Sequence, residues 1–152
     1  MGRERVLQDA GRRGLTVELV ERPAAGSLQE AAALLGVPPA DIVKTLVVQH
    51  GDAFVLVLVP GDRQISWPLL RTALGVNRAR MPDADAAFAA TGYERGTITP
   101  LGTTTALPVV ADASVLGRRI ALGAGEHGWS LWVDADALVA ALDAQVADVT
   151  TT

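Results

Sequence analysis

The sequence predicts an α+β fold, a mixed and largely antiparallel sheet curled into a barrel-like core with helices packed outside. Three observations lead there. Strand-like apolar stretches outnumber helical ones, and the two kinds do not alternate in the regular crossovers that a parallel, doubly wound sheet requires. Fifteen glycines and 8 prolines also punctuate the 152 residues at short intervals. With 49% hydrophobic residues, 1–152 is expected to form one domain around a proper core.

Residues 3–13 read as a first helix stopped by Gly14, and residues 15–21 alternate as a strand with Val17 and Leu19 on one face. Ser27 and Glu30 stand at capping-box spacing, and Leu28, Ala31, Ala32 and Leu35 form the stripe of a second helix that Gly36 ends. The Val- and Leu-rich stretches 43–49 and 53–59 flank His50, Gly51 and Asp52, a hairpin turn, and should pair antiparallel. Pro60 and Gly61 end the second stretch. Short helices follow over 68–73 and 85–90, the latter closed by Gly92. Residues 93–105 are crowded with Gly, Thr and Pro and lack an apolar period, so they form a long irregular loop, a kind of segment that usually carries function. Strands at 107–111, 119–122 and 129–133 then lead to a last helix, capped by Asp134 and running through Leu138 and Leu142.

Composition excludes several function classes. The apolar runs 54–59 and 106–111 fall far short of the roughly 20 residues that cross a membrane. The charged start, residues 1–5, leads into an amphipathic stretch instead of a secretory signal, so a cytoplasmic protein is expected. Zero cysteines remove disulfides, a thiolate nucleophile and cysteine-rich zinc sites. A net charge of −4 opposes a protein that grips a long stretch of nucleic acid, which makes DNA an unexpected partner but leaves contact with one RNA end open. Arg71, Arg78 and Arg80, and the adjacent Arg118 and Arg119, are either local positive patches or solvated faces.

Among motifs, Gly123, Gly125 and Gly128 form a GxGxxG pattern. A dinucleotide-binding turn needs a helix to begin there, whereas Trp129, Leu131 and Val133 alternate as a strand, so a hairpin or bulged turn is expected instead, one that could still border a site. Asp83 with Asp85 and Asp134 with Asp136 offer paired carboxylates, yet each pair sits where a helix begins and serves as cap and dipole partner. His50 and His127 lie in separate turns with no third ligand at metal spacing, and no serine stands in a GxSxG setting. Neither a metal nor a cofactor is expected. Lys44, at the start of an otherwise apolar strand, is either at an edge extending its head to solvent or held near a cavity.

The order of these features resembles a known family. Residues 27–36, then Asp41-Ile42-Val43-Lys44-Thr45-Leu46, Val59-Pro60-Gly61-Asp62, Thr91-Gly92-Tyr93, Gly96-Thr97-Ile98-Thr99-Pro100-Leu101-Gly102, Leu107-Pro108-Val109-Val110-Ala111-Asp112 and Gly123-Ala124-Gly125 are similar, in sequence and in order, to the YbaK and prolyl-tRNA-synthetase-associated editing domains. The resemblance covers residues 25–145.

It implies the barrel with outer helices and the hydrolysis of wrongly acylated tRNA by a separate protein acting in trans. The expected substrate is prolyl-tRNA carrying a small residue such as alanine or cysteine. The expected partner is the 3′ acceptor end of aminoacyl-tRNA, with a prolyl-tRNA synthetase as a further candidate. The alternative is an inactive binding module for such ends or for a small aminoacyl ligand. By resemblance Lys44 is the essential lysine and Gly96 opens the GxxxP loop beside the scissile ester. Thr45, Thr97, Ile98, Thr99, Pro100, Gly102, Gly123, Ala124 and Gly125 border the substrate. Arg95 stands where the family often has a second glycine, which bears on the entrance and on substrate choice.

Overall fold

The computed structural model describes residues 2–152, and its elements follow from local chemistry before any tertiary contact is considered. Helix α1 spans Gly2–Arg12, and the strand after it is only Glu18–Glu21 (β1), shorter than the alternation over 15–21 suggests. Helix α2, Leu28–Leu35, begins with the Ser27 hydroxyl accepting from the Glu30 N–H and ends at a left-handed Gly36. Strands β2 (Val43–His50) and β3 (Ala53–Pro60) form the expected hairpin, in register from Val43 opposite Pro60 to His50 opposite Ala53.

After a two-residue strand, β4 (Gln64–Ile65), come α3 (Trp67–Leu74), capped by Ser66, and α4 (Ala84–Thr91), capped by Asp83. Strand β5 is Val109–Asp112. It starts beyond Pro108, which has no N–H to give a ladder, and the Pro108 carbonyl accepts instead from the Leu56 N–H at 2.9 Å. Strands β6 (Arg119–Gly123) and β7 (Trp129–Asp134) precede α5 (Ala135–Leu142), which Asp134 caps. Two short strands, β8 (Gln145–Ala147) and β9 (Thr150–Thr151), close the chain.

The described residues form three sheets. One is antiparallel, in the order β1-β7-β6; the second runs β2-β3-β5-β8, with β5 parallel to both its neighbours; the third pairs β4 with β9. The mixed and mainly antiparallel character is as expected, but the barrel is not. The sheets meet at a single bridge, Ile42 to Ala121, and no sheet closes on itself, because the outer edge of β2 beyond that bridge pairs with no strand until Gln49 meets Arg80.

The principal core lies between the two larger sheets, with Val6 and Ala10 of α1, Leu56, Leu58, Tyr93, Leu101, Ile120, Leu131 and Leu138 all but sealed from solvent. A second cluster, around Val57, Val59, Leu70 and Val149, fills the opposite face of the β2–β3 sheet. Among the described residues no helix is long and apolar enough to cross a membrane.

Candidate functional site

Where β2 leaves the sheet contact at Ile42 and regains a partner at Gln49, its open edge borders a cavity of about 850 Å³. Residues 43–47 form one wall. Leu28, Ala31 and Leu35 of α2 form a second, Met81 and the start of α4 a third, and Arg95, Gly96, Ile98 and Gly123 close the far side. Five of the sequence-predicted residues therefore meet here: Lys44, Thr45, Gly96, Ile98 and Gly123.

The register of β2 decides what each strand residue offers. Thr45 lies between Val43 and Val47, whose side chains belong to the principal core, and opposite Leu58 on β3. It is 8% exposed and lines the cavity, and its hydroxyl oxygen, sealed from solvent, has no hydrogen-bond partner among the described residues. A buried hydroxyl left without any partner costs about 1–3 kcal/mol, which makes Thr45 a position where stability and polarity can be set against each other by substitution.

Lys44 has the opposite parity and shares its side of the strand with Leu46 and Val48, which pack in the second cluster. Its Nζ donates to the Arg63 carbonyl at 2.6 Å. Partial burial holds the ammonium below its ordinary pKa, and the nearby Asp62 carboxylate offsets part of that. The residue lines the cavity, but its amine is directed at the turn after β3, not at residues 96–100. Arg22, held by the Ser130 hydroxyl at 2.9 Å, and Arg95 also line the cavity, against one acid, Asp83, whose carboxylate accepts from the Ala86 N–H. Three cations to one capped carboxylate favour an anionic ligand.

The loop residues divide. Gly96 has φ +88°, a conformation that needs glycine, and an added Cβ would lie 3.9 Å from His127 Cε1. His127 is thus set over Gly96, with Nε2 3.2 Å from a Glu94 carboxylate oxygen, both side chains largely exposed. Thr97, Thr99, Pro100, Gly102, Ala124 and Gly125 do not line the cavity. The Thr97 hydroxyl donates to the Glu94 carbonyl at 2.8 Å, the fully buried Thr99 hydroxyl has no partner among the described residues, Pro100 is buried, and Ala124 sits in the principal core.

Gly102 and Gly125 are packed against α1 instead: a Cβ on Gly102 would come within 2.7 Å of the Arg5 carbonyl, and one on Gly125 within 3.0 Å of Gly2. Gly123 does line the cavity, and it also backs onto the loop, where a Cβ would meet the Ile98 carbonyl at 2.5 Å.

Sequence reasoning missed Arg22 and Met81 of the lining, which sit in segments without a readable period. It also missed Asp9, which lies on the buried stripe of α1 with Val6 and Ala10, at i+3 from one and i−1 from the other; an acid on an apolar stripe was the available signal. Among the described residues no group of three His, Cys, Asp or Glu comes together to hold a metal. The GxGxxG glycines lead into β7, with Gly128 at φ +84°, and no helix begins there.

The chain is similar to known proteins in sequence and in fold. Residues 22–141 match the family model of the aminoacyl-tRNA editing domain. The proline–tRNA ligase of Thermosipho africanus is 34% identical over 100 residues, covering 66% of this chain and 18% of that enzyme. The proline–tRNA ligase of Trichlorobacter lovleyi is 36% identical over 107 residues, 70% of this chain and 18% of that one. The match therefore spans less than a fifth of the length of these two curated relatives. Solved structures match nearly end to end. Hypothetical protein APE2540 superposes with a TM-score of 0.90 at 31% identity over 97% of this chain and 99% of its own. A candidate trans-editing enzyme for prolyl tRNA synthetase gives 0.91 at 27% identity over 99% and 98%.

Proposed function

The chain belongs to the aminoacyl-tRNA editing domain family, and from that premise we propose that residues 1–152 are a single, free-standing trans-editing hydrolase. It deacylates mischarged tRNA, with proline-specific tRNA carrying alanine, cysteine or another small residue as the substrate, and works in the cytoplasm where tRNA is charged. The observation that carries the reading is that Lys44, Thr45 and Gly96, far apart in the chain, line one cavity.

An aminoacyl ester is already activated, so hydrolysis needs a positioned water and a place for negative charge on the carbonyl oxygen. None of the loop's hydrogen bonds among the described residues uses the Gly96 N–H, and Gly96 lines the cavity; that N–H donates to the developing oxyanion. Lys44 holds the terminal adenosine or its phosphate, exchanging the Arg63 carbonyl for the RNA, and an anionic partner repays the burial that now depresses its pKa. Without an evident general base in the loop, the ribose hydroxyl of the substrate assists the water. Leu28, Ala31, Leu35, Ile42 and Ala121 give the acyl side chain an apolar enclosure, suited to the second stage of a double sieve in which shape excludes the cognate residue.

The test is a deacylation panel of tRNAs carrying correct and incorrect small amino acids. Hydrolysis of a mischarged tRNA with the correct pair spared supports the assignment; no hydrolysis across the panel overturns it. A second reading, an inactive binding module for aminoacyl-tRNA ends, draws on the Lys44 amine being engaged by Arg63. Aminoacyl-adenosine analogues bound without turnover would select it.

A further inference from the structure

Helix α1 lies outside residues 22–141, the part matched by the family model, yet it grips both irregular segments that border the cavity. Its Asp9 is 5% exposed. One carboxylate oxygen accepts the Gly102 N–H at 2.8 Å, and the other accepts from Arg13 Nε at 3.0 Å and from Arg12. Arg5 donates to the carbonyls of Gly92 at 3.0 Å and Gly102 at 3.2 Å, and its guanidinium lies 4.6 Å from the centre of the Tyr93 ring. The Tyr93 hydroxyl in turn donates to the Leu101 carbonyl at 2.6 Å.

One turn earlier, Gly2 packs on the Gly125 backbone, Arg3 pairs with Glu126, and the Arg3 guanidinium stacks 3.9 Å above the Trp129 ring. The Gly125 N–H then donates to the Thr97 carbonyl at 3.0 Å, inside the loop. Both ends of residues 97–102 are therefore fixed from a single helix, directly at Gly102 and through Gly125 at Thr97. Of the residues that line the cavity, Ile98 lies within this stretch and Gly96 immediately before it.

We infer that α1 is the brace of the loop and that Asp9 and Arg5 are positioning residues for hydrolysis, a role that rests on the deacylase reading. Asp9 and Arg5 touch nothing in the cavity. They set where the Gly96 N–H points, and a displacement of the order of 1 Å at such a group costs roughly 100-fold in rate. Burial alone would raise the Asp9 carboxyl, but the Gly102 N–H and the two arginines outweigh it, so the group stays ionised and keeps its grip at neutral pH.

The experiment compares wild type, Asp9→Ala and Asp9→Asn in steady-state deacylation and in amide hydrogen exchange. Asparagine retains an oxygen for the Gly102 N–H; alanine does not. The brace requires kcat of Asp9→Ala to fall roughly 100-fold with KM held within about threefold. It further requires Asp9→Asn to regain most of that loss. In Asp9→Ala the amides of residues 96–102 should exchange at least roughly tenfold faster while those of β2 and β3 stay as in wild type.

Unchanged kcat, a loss confined to KM, an asparagine variant no better than alanine, or exchange that rises uniformly through the chain overturns it. The exchange readout needs no substrate. If the loop loosens as expected but wild type hydrolyses no mischarged tRNA, the deacylase reading fails, and the positioning role falls with it.

Discussion

The two walls of the cavity are built on opposite principles. The β2 wall is a regular strand, tied to β3 along its whole length and packed by a different apolar cluster on each face. The loop wall, with the turn at Gly123 behind it, follows no period. It takes its shape from places where a side chain is missing, such as Gly102 against Arg5 and Gly123 against Ile98, and from individual polar contacts. In the first wall backbone geometry is set many times over, so single side chains can be given to chemistry. In the second each position is part of the geometry.

Gly102→Ala tests this contrast most severely. The residue has φ +72°, and its new methyl would sit 2.7 Å from the Arg5 backbone and the Tyr93 hydroxyl. Denaturant titration should register a loss of about 3 kcal/mol or more, together with activity. A loss below about 0.5 kcal/mol would mean the loop wall yields as easily as any surface turn.

Lys44→Ala, on the other wall, should lower deacylation roughly 100-fold while moving the thermal midpoint by no more than about 3 °C. A large drop in midpoint with activity retained would make Lys44 a structural residue. Thr45→Val goes further, because it removes a polar atom that the folded chain leaves unsatisfied. Stability should rise by about 1 kcal/mol, or roughly 2–4 °C, while turnover falls and Thr45→Ser restores it. A less stable valine variant would show that the hydroxyl has a partner in solution.

The smallest expected effect is on pH. Asp112 is buried, which alone would raise its carboxyl, but the Ser114 hydroxyl and the N–H groups of Val149 and Ser114 hold it below 3.8, and Asp9 is likewise lowered. Both contributions are complete above the unfolded value and are lost as pH falls through the lower folded values. Stability should therefore be flat near neutrality and drop in acid below about pH 3.8. Asp112→Asn should flatten the drop by its share, measured by denaturant midpoints from pH 7 to pH 2; an unaltered slope would remove Asp112 from the account.

The same contrast explains what could be read from sequence. The hairpin, α2 and the caps at Asp83 and Asp134 were legible because each is decided by a few neighbouring residues. The parallel pairing of β5 with β3 and β8, and the β4–β9 pair, depend on partners far along the chain, and strands as short as Gln64–Ile65 and Thr150–Thr151 carry too few residues to show alternation. The barrel failed for a related reason: closure depends on what meets the outer edge of β2, and no residue of β2 encodes that.

At the site, motif order brought Lys44, Thr45, Gly96, Ile98 and Gly123 to the cavity. Gly102 and Gly125 could not be told from ligand contacts, because a glycine that admits a substrate and one that admits a helix look alike in a sequence. The direction of the Lys44 amine was equally hidden, since strand parity assigns a side chain to a face but does not say which face has the hole.

Because the backbones of the two larger sheets pair near the cavity, among the described residues, at one bridge, Ile42 to Ala121, the chamber is a seam between them and not a hollow inside either. Its width follows from residues at its rim, such as Leu28 and the partly exposed Met81, which neither of the two larger cores contains. Exchanging such rim residues would therefore resize the chamber while leaving the framework that folds the chain untouched.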